Sequence, residues 1–405
     1  MDIDVRRIAA EEFAAWSRAV STGFLETSSE AAIEAHRVDV VLDRTWAAVD
    51  GGRIVGTLRS FPTPLTVPGG SVPASALSAV TVTATHRRRG LLTRMMTADL
   101  RAAAERGEPV AILIASEFGI YGRFGFGPAT EQVSYDVDTV RARLARRPTG
   151  SVELVEPAML RGDAPGVYER HRTATPGAIA REGRWWDRWL GITPLPGHEP
   201  GPRFFVRSFD EDGATTGYLG YHVEHRWAEN LPRHTLVVDE LMGADPEATA
   251  RLWAYCVEVD LIARVRTESR GPGEVLPWLL SDGRSAQQHL RTDALWLRLL
   301  DPAAALTARR YPLAGGLVLE VHDALGLAAG RFALEAGTDG ATCAPTTRIP
   351  DLTLDVSVLA SAYLGGHPLR LLADAGYVDE HRDGAVVAAD ALLRSPTAPW
   401  CATGF

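Results

Sequence analysis

The sequence predicts a mixed α/β (α+β) fold: two α/β units that repeat one element order, followed by a smaller unit of mixed strands and helices. Three observations carry that expectation. A β-branched run at 80–83 feeds an Arg-rich turn at 86–90, then a helix pattern with Leu91, Leu92, Met95, Met96 and Leu100 on one face. A second strand pattern, 235–240, again leads into a helix, announced by Asp245-Pro-Glu247 with N-cap, N1 proline and first-turn acid in sequence. The chain has 405 residues, 46% apolar and 23% charged, which suits a soluble globular protein with two or three cores.

The elements follow in order. Residues 3–8 alternate as an opening strand, and 9–20 carry Phe13, Trp16 and Val20 at helical spacing. A bend at 22–29 contains Phe24 and Glu26. A second helix is expected over 29–41, with Ser28 or Ser29 as its cap. Strands at 45–49 and 53–61 flank Asp50-Gly-Gly, a hairpin signal, and 62–72 is expected to be a Pro/Gly-rich loop. After the helix that Gly107 stops, the apolar run 110–115 is a short buried strand ending at Ser116-Glu117. The glycines of 118–128 suit a closely packed turn before a strand at 132–137. The charged stretch 139–150, ending near Pro148, is a natural boundary.

The second unit is expected to have a helix at 178–190 with Trp185, Trp186 and Trp189. Strands at 203–207 and 217–223 flank the turn 210–213, and the strand and helix already described follow. The tryptophans suit a core or a subunit interface better than catalysis. His222 and His225, three apart on a strand, face opposite ways and make a poor metal pair. The last part has strand patterns at 316–323, 330–335 and 351–356, a helix at 357–364, and segments of unsettled type at 374–378 and 383–393. Its tail, Pro399 to Phe405, is apolar, which suggests a docked end. The boundaries so read are 1–140, 150–298 and 302–405.

Charge and composition exclude several classes. A net charge of −9 argues against a nucleic-acid partner and suits a cationic substrate. All 42 basic residues are arginine. Three widely spaced cysteines (Cys256, Cys343, Cys401) form no Cys-x-x-Cys and fit a reducing, cytoplasmic setting. The amino terminus lacks the apolar core of a signal peptide, and the longest apolar run is too short to cross a bilayer, so no membrane partner is expected.

The strand–turn–helix at 80–107 has the chemistry of an anion site. Backbone N–H groups at a helix start, the helix dipole and arginine side chains converge there, as a phosphate or pyrophosphate requires. It is not a P-loop, because Gly-Lys-Ser/Thr is absent. The turn Arg87-Arg88-Arg89-Gly90-Leu91-Leu92 instead resembles motif A of the GNAT superfamily of N-acetyltransferases, with Leu92 in place of the usual small residue. That resemblance implies a splayed mixed sheet and acetyl-CoA held by Val80, Thr81, Val82, Arg87, Arg88, Arg89, Gly90, Leu91, Leu92, Thr93, Ser116 and Glu117. It also places Tyr121 beside the cofactor sulfur. A phenol with pKa about 10 is protonated at neutral pH and can donate to a leaving thiolate.

The second unit repeats the order but replaces the Arg-rich turn with Gly243-Ala-Asp-Pro-Glu247, which brings two acids to the place of a pyrophosphate. It is expected to be a degenerate GNAT-like domain serving as scaffold. With Ile120-Tyr-Gly-Arg-Phe-Gly125 and terminal Phe405, the whole chain resembles the enhanced intracellular survival (Eis) acetyltransferases: GNAT domain, degenerate GNAT domain, then a sterol-carrier-protein-like domain. The resemblance implies acetylation of amines, notably of aminoglycosides and often at several positions, with Tyr121 as general acid. It further implies the C-terminal carboxylate of Phe405 as general base, Phe24 and Glu26 in the acceptor pocket, no metal, and a homo-oligomer, a hexamer in that family. A protein lysine or a polyamine as acceptor stays open from the sequence, as does a non-enzymatic lipid- or CoA-binding role.

Overall fold

The computed structural model describes residues 3–197 and 199–405. The first unit comprises β1 (Asp4–Arg7), α1 (Phe13–Gly23), α2 (Glu30–Arg37), β2 (Thr45–Asp50), β3 (Arg53–Val67), β4 (Gly70–Val82), α3 (Leu91–Glu105), β5 (Val110–Ile114), α4 (Phe118–Tyr121) and β6 (Gly127–Pro128). Ser29 caps α2 by accepting from Ala32 N at 3.1 Å, and the helix ends at Arg37, short of the expected 41. The anticipated loop at 62–72 is instead the far end of a long hairpin, with Pro62 opposite Ser75 and Pro64 opposite Pro73. The β2 partner of β3 stops at Arg59, so these prolines lie beyond it, where their missing N–H breaks no β2 ladder.

The second unit comprises β7 (Glu131–Asp138), β8 (Ser151–Val155), α5 (Pro157–Ala174), α6 (Gly183–Trp189), β9 (Phe204–Phe209), β10 (Thr215–Glu224), β11 (Trp227–Ala228), β12 (Leu231–Pro232), β13 (His234–Gly243), α7 (Pro246–Glu258), β14 (Ile262–Arg270), α8 (Leu276–Leu279), β15 (Ala286–Asp293) and β16 (Leu295–Leu299). Sequence patterning missed α5, whose Gly162, Pro165 and Gly166 are helix breakers. Leu160, Ala164, Val167 and Tyr168 bury one stripe of it, and that packing outweighs propensity. The helix expected from 178 begins only at Gly183, because Ile179 bridges to Leu65 of β3.

The two large sheets exchange strands. Their orders are β1-β2-β3-β4-β5-β16-β6 and β8-β9-β10-β13-β14-β7-β15, so β16 and β7 occupy the same slot in the opposite sheet. Residues 131–138, expected to close the first unit, therefore pair in the second sheet, and Leu295–Leu299 fill the first. All five residues of β16 are buried, including Arg298, which donates to Asp323 at 2.7 Å and to the Phe124 carbonyl. Each large sheet has one parallel pair, β4/β5 and β13/β14.

The third unit comprises α9 (Pro302–Ala308), β17 (Gly315–His322), β18 (Gly330–Gly337), β19 (Gly340–Pro345), β20 (Leu352–Asp355), α10 (Val356–Tyr363), α11 (Leu369–Asp374), β21 (Val378–Glu380) and α12 (Ala385–Leu393), around a sheet of order β19-β18-β17-β20-β21. Of the two unsettled segments, 374–378 is the turn that joins α11 to β21, and 383–393 is mostly α12. This unit shares one core cluster with the β3–β5 face of the first sheet, in which Leu65, Ala76 and Ile112 join Leu319, Leu359 and Leu392.

Candidate active site

The site begins where β4 and β5 part. They pair at Ala74/Val110, Ser75/Ala111 and Ala76/Ile112, and no further. On its other side β4 carries a bulge. Thr57 faces Thr81 and Arg59 faces Ser78, which leaves Ala79 and Val80 opposite the single Leu58. Ala79 takes the left-handed conformation, φ +52°. The extra residue bends β4 away from β5, so the backbone of the strand's last residues lacks a strand partner on that side.

Arg88 (φ +64°) and Gly90 (φ +73°) turn the chain into α3, and no side chain caps the helix. Its first-turn N–H groups and dipole are therefore available to an external anion. His86 anchors the turn, with Nε2 3.2 Å from Asp50 Oδ2 and Nδ1 2.8 Å from Thr85 Oγ1. Val80, Thr81, Val82, Arg87, Arg88, Gly90, Leu91, Leu92, Thr93, Ser116, Glu117, Tyr121 and Phe24 line one cleft of about 550 Å³. Arg89 and Glu26 are exposed and lie outside that lining, as does Phe405. The remaining wall is Gly23, Leu25, His86, Ile120 and Arg123. His86 belongs to the Arg-rich turn and Ile120 and Arg123 to the 120–125 stretch, but none of the five was named as a site residue from the sequence. Gly23 packs so closely on β4 that a Cβ there would meet Thr81 at 2.4 Å.

Tyr121 ends α4 with only 4% of its surface exposed. Burial raises its pKa above the usual phenol value; a hydrogen bond with Ser116 works the other way, and Glu117 adds to the rise. The hydroxyl is therefore a proton donor throughout the neutral range. The turn after it is as tight as its glycines suggest: Gly125 is left-handed, and a Cβ on Gly127 would meet Ser357 O of α10 at 2.0 Å.

The tail is docked. Trp400 N donates to Pro176 O at 2.8 Å, and the Trp400 ring packs edge-on against His171. Thr403 Oγ1 is 2.8 Å from Tyr168 Oη and accepts from Arg181 Nε at 2.9 Å. Arg181 also donates to Ala402 O at 3.2 Å and makes a bidentate pair with Glu240, 2.7 Å at each contact. Its guanidinium lies between the rings of Tyr168 (3.8 Å) and Trp185 (3.7 Å). Burial opposes its charge, but Glu240 holds the pKa above the ordinary guanidinium value. Phe405 then meets Phe61 of β3 edge-to-face, with centroids 5.5 Å apart. Phe61 is opposite Ala76, the last β4 residue to pair with β5, so the chain end lies level with the parting of the strands.

The His222/His225 pair is otherwise engaged. His222 Nδ1 is 2.9 Å from Asp239, and His225 packs against His234. Among the described residues no three His, Cys, Asp or Glu side chains are grouped to hold a metal ion.

Family models for an acetyltransferase (GNAT) domain match residues 4–129 and 177–300, and one for a sterol carrier protein domain matches 302–402. An uncharacterized N-acetyltransferase of Streptomyces griseus is 44% identical over the full length of both chains. The N-acetyltransferase Eis of Mycobacterium tuberculosis is 41% identical over 80% of this chain and 79% of its own. The crystal structure of Eis1 from Mycobacterium abscessus superposes with a TM-score of 0.87 at 33% identity, covering 99% of this chain and 100% of that one.

Proposed function

The chain belongs to the Eis family of N-acetyltransferases, and from that premise we propose that it acetylates primary amines of small cationic molecules such as aminoglycosides, at more than one amine of the same acceptor. The observation that carries the reading is a convergence in one cleft: an unpaired strand edge, an uncapped helix start flanked by Arg87 and Arg88, and the buried Tyr121. Those donors fit acetyl-CoA, with the backbone of Val80–Val82 for its amide-bearing arm and the α3 turn for its pyrophosphate. Acetyl-CoA supplies the activated acyl group when bound.

The chain's own residues then do three things. The parting of β4 and β5 holds both reactants in line, which supplies much of the acceleration. The Phe405 carboxylate, ionised above about pH 3.5 in an unperturbed α-carboxyl, attracts the ammonium and takes up the amine proton through water. Tyr121 hands its proton to the departing sulfur. Glu26, exposed on the bend after α1 beside the cleft-lining Phe24 and Leu25, suits the approach of a polycation. Assembly into a cytoplasmic homohexamer belongs to the same reading, and light scattering on the purified chain tests it.

The test of the acceptor is direct. Purified protein with acetyl-CoA is offered tobramycin, kanamycin, spermidine and a lysine peptide, with thiol release and product mass recorded. Thiol release with the aminoglycosides, and products carrying more than one added acetyl, are expected. Turnover restricted to the peptide or spermidine would reject the acceptor class.

A further inference from the structure

The second GNAT-like unit has lost the features that would hold a coenzyme, yet it grips the tail of its own chain. We propose that Arg181, aligned by Glu240 and bonded to Ala402 and Thr403, is the positioning residue that places the terminal carboxylate for proton transfer. The inference rests on the reading of the Phe405 carboxylate as proton acceptor.

The geometry argues for a positioning device more than for simple adhesion. Two guanidinium N–H groups are committed to Glu240, and the contacts to Thr403 Oγ1 and Ala402 O fall two and three residues before the carboxylate. The guanidinium is clamped between Tyr168 and Trp185, so its plane has little freedom to rotate. Glu240 is itself fixed by the Tyr218 hydroxyl. Thr403 is only 3% exposed, and its hydroxyl makes a second bond to Tyr168, whose own hydroxyl donates to Ile179 O at 2.8 Å. Upstream, Trp400 lies with its ring 5.1 Å from the Arg270 guanidinium, and a Cβ on Gly271 would meet it at 3.1 Å. Two anchors therefore hold the tail on the second unit, and only Gly404 and Phe405 run free of them towards the first.

Arg181→Lys keeps the charge but loses the fork. Thr403→Val removes only a hydroxyl, and Thr403→Ser returns it. A misplaced group costs on the order of 10- to 100-fold in rate, so Arg181→Lys and Thr403→Val should lower kcat by about that much with KM for acetyl-CoA unchanged. Thr403→Ser should restore kcat. Carboxypeptidase A should release Phe405 faster from both impaired proteins than from the parent. In a protein lacking Phe405 the same substitutions should cost nothing more in the residual rate. A full additional loss in that background, or parental kcat and parental Phe405 release in both variants while removal of Phe405 abolishes turnover, overturns the positioning role alone. Unchanged kcat on removal of Phe405 overturns the proton-acceptor reading, and the positioning role with it.

Discussion

The two GNAT-like units share strand order, a parallel central pair that parts, and a bulge in the strand before the long helix, but they differ in what fills the gap. In the first, β4 bulges at Ala79/Val80 and its free edge faces a cleft. In the second, β13 shifts register between the partners of Gly220 and Tyr221, and the opening is closed by the protein itself. Arg270 donates to Leu241 O on β13 at 2.6 Å, pairs with Glu274 at 2.6 Å, and lies between Trp253 and Trp400. The helix starts differ in the same sense. α3 opens on left-handed Gly90 without a cap, whereas α7 has Pro246 at its start and Asp245 accepting from Ala248 N at 2.7 Å. One unit leaves its donors for an outside anion; the other satisfies them with its own side chains. A common scaffold thus becomes either a binding site or a support, according to whether the local donors are already taken.

The sharpest way to break the contrast is to silence the buried phenol that lines the first cleft. Tyr121→Phe should lower kcat by about 10²- to 10³-fold with little change in KM for acetyl-CoA, as steady-state kinetics would show. Because burial raises the Tyr121 pKa, its protonated form persists past the ordinary phenol value. In the parent enzyme kcat should therefore show no alkaline decline from this group below pH 10, and should fall only above it. A decline near pH 8 would assign the acid elsewhere.

A smaller effect is expected from making the first helix start resemble the second. Nothing lies within 4 Å of a Cβ built on Gly90, and aspartate tolerates the left-handed conformation better than most residues. Gly90→Asp would place a carboxylate at the turn proposed to take the pyrophosphate. KM for acetyl-CoA should rise about 10- to 30-fold, the equivalent of roughly 1.5–2 kcal/mol of lost anion binding. An unchanged KM would show that the turn does not face the coenzyme.

The reverse change should be the mildest. Asp245→Ala removes the α7 cap and should cost about 1 kcal/mol of stability, seen as a lower denaturation midpoint. Calorimetry should still find one coenzyme bound per chain, because Arg270 and Trp400 continue to block the second gap. A second equivalent bound would mean that the acids alone had closed it.

Much of this was legible in the residues. The strand, the Arg-rich turn and the apolar face of α3 are neighbours in sequence, and their periodicity and glycines specify them locally. So are the Asp245 cap and the Ser29 cap, whose acceptors reach donors only three residues away. The prolines at 62 and 64 and the breakers inside α5 misled that reading, because a hairpin partner and a buried stripe overrode local preference. Of the two bend residues expected at the acceptor pocket, Phe24 lines the cleft and Glu26 is exposed beside it.

The sequence by itself determined which segments become strands and helices around the anion-binding turn, since caps, turns and apolar spacing act over a few residues. Only the tertiary structure decided that β7 and β16 trade sheets, that Leu295 N meets Thr130 Oγ1 across 165 positions, and that Arg181 grips Thr403 across 222. Such pairings depend on which buried polar groups and sheet slots remain open once the local elements have formed, and no pattern within one segment records them.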